Sequence, residues 1–140
     1  MALEDEFTDH LVAASVGVFE ATSGWSIHIG KMPPSPDSVV LVTHSGGTPS
    51  DPKFLLDYPH VQVRVRGGIG NYRDAKLKAQ EIKDLLLGMD PEDKTTARWV
   101  SVTLLSDIAF LGYDENDRPE FSVNFSMIIE PTTGANRIPL

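Results

Sequence analysis

The chain has 140 residues, 41% of them hydrophobic, which is enough for one domain with a real core but not for two large ones. Twenty acidic and twelve basic residues give a net charge of −8, which disfavours a free-standing nucleic-acid binder because such proteins usually carry a basic surface. There is no cysteine, so disulfides, thiolate metal sites and cysteine nucleophiles are excluded.

The amino-terminal sequence MALEDEF is acidic and has neither a basic n-region nor an apolar h-region, so it predicts no signal peptide. No apolar run approaches the roughly 18 residues that a membrane-spanning helix needs, and we expect a soluble protein. A first helix is predicted to begin near residue 3 and to end at the TSG of residues 22–24. Its apolar positions recur at helical spacing, at Leu3, Phe7, Leu11, Ala14 and Val18.

Three strands are expected next. Trp25, Ile27 and Ile29 alternate with polar residues, the prolines of KMPPSPD interrupt the ladder, and SVVLVTH is typical of a more buried strand. The following SGGTPSDPK predicts a long loop over residues 44–53, a length that is often functional. Beyond it, alternating valines from residue 61 to 65 predict the third strand.

A second helix is predicted from Tyr72 to Leu87, with Gly88 as its stop. Strands are expected over 99–105 and 108–113, with a break at 106–107, and over 121–129, where apolar and polar residues alternate most clearly. This order predicts an α+β fold: a twisted, mostly antiparallel sheet with both helices packed on one face. The crossover at 61–105 permits one parallel pairing. We expect one domain over 1–131 and an extended or mobile segment over 132–140.

The stretch VQVRVRGGIGNYRDA raises the question of a phosphate-binding loop. Counted from Gly68, a dinucleotide fingerprint requires a third glycine where Arg73 stands, and no Gly-Lys-Ser/Thr follows. A tight corner explains the glycines better, with Asn71 as the helix N-cap, Asp74 completing a capping box, and the glycines supplying positive φ angles. We therefore expect no bound cofactor here.

Other candidate motifs are incomplete. The four histidines, at 10, 28, 44 and 60, show no metal-ligand spacing. DENDRPE lacks the glycine of a calcium loop, and Ser45 lies outside any nucleophile elbow. No catalytic residue, cofactor or metal is predicted.

Arg64 and Arg66 alternate with the valines of the third strand and therefore point away from its apolar face. They are either solvated or paired with carboxylates of a neighbouring subunit. The geometry of the guanidinium group favours binding to carboxylates. The first helix offers such acids and has a negative solvent side. The candidate interface residues are thus Arg64, Arg66, Glu4, Glu6 and Asp9.

Four segments together resemble the tail-terminator or minor capsid (tail-completion) proteins of long-tailed bacteriophages. They are VVLVTHSGGTPSDPKFLLDYP, the arginine-bearing strand HVQVRVRGG, the step from Tyr72 into the helix, and FLGYDENDRPEFSVNF with the closing Glu130–Pro131. The similarity spans roughly residues 38 to 131, whereas the first helix resembles the family only in type.

The resemblance implies a non-enzymatic virion protein that assembles in the host cytoplasm. Such proteins form a ring, usually a hexamer, at the head-proximal end of the tail tube. The ring ends tube growth and joins the tail to the head connector, and DNA passes its lumen without specific binding. The alternatives are a head-closure or adaptor protein of the phage neck, or a small-ligand or enzyme domain with its site in the 44–53 loop.

Overall fold

The computed structural model describes residues 2–131, which form two helices and a seven-stranded sheet. The elements are α1 (Leu3–Ala13), β1 (Val18–Phe19), β2 (Ser26–Ile29), β3 (Val39–Thr48), β4 (Tyr58–Arg66), α2 (Tyr72–Leu86), β5 (Glu92–Asp93), β6 (Ala97–Tyr113) and β7 (Pro119–Pro131). The predicted segment 132–140 lies outside the described residues. Within the described part, no helix is long and apolar enough to cross a membrane.

The strand order is β1-β2-β3-β4-β7-β6-β5, and only the β1–β2 and β2–β3 pairs are parallel. The α+β prediction is thereby confirmed. The parallel pairing that the crossover through α2 permitted does not form, because β7 lies between β4 and β6 and pairs antiparallel with both. The parallel contact forms instead between β2 and β3, which are joined by residues 30–38 without a helix.

Both helices cover the same face of the sheet, as predicted. On the central strands, Val63 faces Val42 on one side and Val123 on the other, and Val61 pairs with Phe125. Because side chains alternate along a strand, these residues project to one face, where they are fully buried against both helices. The helices contribute Phe7, Leu11, Ala75, Ala79, Ile82 and Leu86 to this core.

The first helix is shorter than predicted. It ends at Ala13, and Ser15 then adopts a left-handed φ of 63°, which breaks the helical path. Val16 turns into the core, whereas Val18, predicted on the apolar helix stripe, lies in β1 and is 62% exposed. The helical spacing continued past the true end of the helix because Val18 lies four residues after Ala14, as an apolar helix stripe requires.

Two predicted breaks are strand irregularities. Residues 45–48, expected in the 44–53 loop, continue β3 past a register shift between His44 and Gly47. A Cβ on Gly47 would lie 2.3 Å from the carbonyl oxygen of Tyr58, so glycine permits this close backbone approach. Strand β6 is continuous, and the break expected at 106–107 is a set of register shifts between Leu104 and Ala109.

Candidate assembly surfaces

On the helix-free face of the sheet, two arginines bind the backbone of a covering segment. Arg66 is 2% exposed; its Nε donates to the carbonyl of Asp37 at 3.0 Å and its Nη2 to that of Pro36 at 2.7 Å. Arg118 donates to the carbonyl of Pro34 at 2.7 Å and pairs with the Asp37 carboxylate at 3.2 Å. The two guanidinium groups thus attach the 30–38 segment to the sheet.

This arrangement changes the position assigned to Arg66. The expectation that it faces outward is wrong in the folded chain, because the 30–38 segment covers that side of the strand. Burial, and then the neighbouring charge of Arg118, lower the pKa of Arg66, while Asp114, Glu120 and Asp37 act against the shift. A buried arginine with these partners is a structural residue in the folded subunit.

Arg64 lies two residues earlier on the same face and has a different environment. Its Nη2 pairs with Glu120 Oε1 at 2.7 Å, and its side chain is 34% exposed. Arg64 therefore has a partner within its own subunit, while a third of its surface stays open to another molecule.

The predicted acids of α1 also separate into two groups. Glu6 is 3% exposed, and its Oε1 accepts hydrogen bonds from the backbone N–H and the hydroxyl of Thr96, so its predicted solvent position is wrong. Glu4 is partly exposed and Asp9 is exposed. The chain does not bring these acids to Arg64 and Arg66, because α1 and the arginines lie on opposite faces of the sheet.

His10 joins α1 to the strands below it. Lys94 Nζ donates to His10 Nδ1 at 2.9 Å and lies 4.6 Å from the centre of the Trp99 ring. Since an ammonium group has no acceptor, Nδ1 must be unprotonated in this contact. Burial and then the charge of Lys94 lower the pKa of His10, and Glu92 opposes them. The folded protein therefore favours neutral His10.

The glycine corner at 67–70 is part of the packing between β4 and α2. Asn71 is the N-cap residue of α2, as predicted, but its side chain makes no capping hydrogen bond. Only Gly70 has a positive φ, 75°, so the predicted role of all three glycines is wrong for Gly67 and Gly68. A Cβ on Gly67 would lie 2.9 Å from the carbonyl oxygen of Asn71 and 3.0 Å from the Ala75 Cβ, which makes close helix–strand approach its role.

Sequence reasoning missed an exposed aromatic cluster next to this corner. The rings of Tyr72 and Phe110 lie 5.1 Å apart, and that of Tyr113 lies 5.4 Å from Phe110. The three residues are 44%, 44% and 59% exposed. Lys76 Nζ lies 5.8 Å from the buried Phe121 ring that Tyr72 also contacts. The sequence shows the alternation in β6 and the helical spacing of residues 72 and 76. The contact between α2 and β6, however, depends on tertiary structure.

The described residues form a small α+β protein that exposes charged and aromatic side chains at its surface. Among residues 2–131, no group of three or more His, Asp or Glu side chains could hold a metal ion.

The chain belongs to the family described as bacteriophage tail terminator protein, whose profile matches residues 10–131. It is accordingly a structural protein of the virion tail, and the predicted resemblance is confirmed. Among solved structures, it is similar to a chain of the virion of a native gene transfer agent particle, with 20% identity and a TM-score of 0.71. That match covers 92% of this chain and 95% of the other, and it shows a shared fold. No curated protein sequence matches significantly.

Proposed function

We propose that this protein forms a closed hexameric ring at the head-proximal end of the tail tube, ends tube polymerisation, and joins the tail to the head connector. The main observation behind this proposal is the family match over residues 10–131. It is supported by the fold that this chain shares with a virion chain over nearly the whole length of both. The proposed partners are further copies of this chain, the tail tube protein, and the connector or head-closure protein.

The proposed role requires two different surfaces on one ring. A tube of identical stacked rings presents the same adhesive face after every addition, so growth continues until a different protein covers that face. A terminator must bind the tube on one side and present another surface on the other. A closed ring also needs two different patches on each subunit, because its interface is heterologous. Glu4, Asp9 and Arg64 remain proposed contributors to such contacts, since each is at least partly exposed.

Arg66 and Glu6 contribute to this interface indirectly in our proposal. Arg66 holds the 30–38 segment and Glu6 holds the chain at Thr96, so both shape surfaces that neighbours could contact. In this proposed role the protein has no catalytic centre and no cofactor. Its net charge of −8 supports a lumen that repels DNA phosphates and lets the genome pass without specific binding.

Deleting the gene tests the proposal directly. We expect tails of abnormal, often excessive length that are not joined to heads, while filled heads still form, as seen by negative-stain electron microscopy. A plasmid copy of the wild-type gene should restore tail length. If tails keep their normal length and heads lose their DNA, the protein is a head-closure or adaptor component and the terminator proposal is wrong.

A further inference from the structure

A small cleft lies beside α1 at the β1 edge of the sheet. It has a volume of about 180 Å³ and is lined by Asp5, Thr8, Asp9, Phe19 and Ile29, which we call the acidic cleft. Thr8 is 2% exposed, and its buried hydroxyl has no hydrogen-bond partner in the described part of the chain. A buried hydroxyl without a partner costs free energy, so a group that enters the cleft and hydrogen-bonds with it would be favoured.

The charges and apolar surface of the acidic cleft point to a particular chemistry. Asp9 is exposed and has no ion-pair partner among residues 2–131, whereas one oxygen of Asp5 accepts the Ala2 N–H at 2.9 Å. Phe19 is 45% exposed, and the adjacent Val18 is 62% exposed. Carboxylates next to exposed apolar side chains suit a surface that combines basic and aromatic residues.

The same chain carries a surface of that kind. The aromatic cluster of Tyr72, Phe110 and Tyr113 lies at the start of α2, where Arg73 follows Tyr72 and Lys76 lies one helical turn after it; we call these five residues the aromatic–basic patch. Arg73 is exposed and has no carboxylate partner in the described structure, and Lys76 rests on the Phe121 ring. Cations beside aromatic rings are frequent in protein interfaces.

The two surfaces lie toward opposite ends of the sheet. The acidic cleft includes β1, the first strand in the sheet order, whereas the patch includes the distal half of β6, which only the two-residue β5 follows. The two surfaces of one subunit are therefore open to different neighbours in an assembly. A contact between different surfaces on opposite sides is heterologous, and its repetition can close a ring.

We propose that the aromatic–basic patch of one copy binds the acidic cleft of the next copy, with Arg73 and Lys76 facing Asp5 and Asp9. The occupant is a second copy of this chain because the opposite charges and exposed apolar surfaces are complementary and lie on opposite sides of one fold. This inference rests on the proposed ring and names its contact. It adds Arg73 and Lys76 to the proposed interface cations; unlike Arg64, neither forms an ion pair with a carboxylate among the described residues.

Crosslinking tests the contact. Because the chain has no native cysteine, only the introduced thiols react. A double variant with Asp9→Cys and Arg73→Cys is purified as the full chain and also incorporated into particles, and both samples are treated with a bismaleimide. Since each subunit then has one thiol on each surface, we expect a ladder of covalent oligomers beyond the dimer on a denaturing gel.

The single variants are matched controls. Asp9→Cys or Arg73→Cys alone should give no ladder, and a mixture of the two should stop at a dimer. A dimer from one single variant alone would show that like surfaces meet, which overturns the proposal. A ring visible in particles without any ladder would overturn this contact while the proposed function stands. Absence of self-association in both samples would overturn the contact and the ring together.

Charge exchange provides a second test. Asp9→Lys and Arg73→Glu should each weaken self-association about tenfold, measured by analytical ultracentrifugation or by incorporation into tails. The combined variant places opposite charges across the contact again and should recover to within about threefold of wild type. Non-additivity of this kind requires that the two residues interact. Independent, additive losses in the combined variant would contradict the proposal, whereas tail length in the same strains reports separately on the terminator function.

Discussion

The two faces of the central sheet are stabilised by different interactions. The helix-covered face is apolar, with Val63 and Phe125 fully buried among aliphatic and aromatic side chains. The opposite face carries Arg64 and Arg66, and one of them fastens a covering segment through backbone carbonyls. The difference shows that an arginine on the face opposite the core can be buried when a loop supplies backbone acceptors, as for Arg66.

The same comparison separates charged residues that are buried and bonded inside the subunit from charged residues that are exposed at its surface. Arg66 and Glu6 are nearly fully buried and bonded within the subunit, although both were candidates for a solvent-facing interface. Arg73 and Asp9 are exposed and without partners among the described residues. Exposure and internal bonding, which a sequence does not display, distinguish the two groups.

The largest effect is expected on the helix-covered face. Phe125 is completely buried, and its ring lies 5.8 Å from that of Phe7, so Phe125→Ala leaves a cavity between sheet and helix. We expect the free energy of unfolding to fall by about 3–5 kcal/mol, measured by urea denaturation. Phe54→Ala, at a site 64% exposed, is the control and should cost less than about 0.5 kcal/mol. Equal losses for the two variants would contradict the assigned core.

The helix-free face is tested by comparing its two arginines. Arg66→Ala leaves the Pro36 and Asp37 carbonyls without their buried donor, and we expect a loss of about 2–3 kcal/mol. Arg64→Ala removes a partly exposed ion pair with Glu120 and should cost about 1 kcal/mol or less. Chemical denaturation of both variants measures the difference. If Arg64→Ala proves the more damaging, the 30–38 segment does not depend on Arg66 as we describe.

A smaller effect is expected at the corner that joins the sheet to α2. Gly67→Ala places a Cβ within 3.0 Å of the Asn71 carbonyl oxygen and the Ala75 Cβ, which should cost about 1–3 kcal/mol through overpacking. The control Gly70→Ala meets open space and bears only the strain of its positive φ, about 1 kcal/mol. Thermal melts of the two variants rank these costs, and a neutral Gly67→Ala would refute the close-approach role.

The smallest effect is a pH dependence at the α1 contact. The pKa of His10 is lowered in the folded state, so the unfolded chain binds more protons as the pH falls below the usual histidine value of about 6.5. This contribution to stability is present above that pH and is lost as the pH falls through the lowered folded pKa. We expect His10→Gln to flatten the pH dependence of Tm in this window, whereas exposed His44→Gln should not. Identical profiles for wild type and His10→Gln would exclude the effect.

The regular parts of the fold follow from the pattern of apolar residues in the sequence. The period-two pattern of residues 61–65 and 121–129 and the helical spacing of Ala75, Ala79, Ile82 and Leu86 identified the main core residues, all of which are buried. These predictions succeed because a single apolar face must follow the geometry of its own strand or helix. The signatures in residues 38–131 also identified the family.

The end of α1, the place of β7 between β4 and β6, and the roles of the charged residues do not follow from local sequence patterns. Each depends on contacts between segments far apart in the chain, such as Arg66 with Asp37 and Glu6 with Thr96. The aromatic–basic patch is of the same kind, because Tyr72 and Phe110 meet only when α2 packs on the sheet. A local pattern fixes which face a side chain takes, but whether that face is covered depends on the rest of the chain.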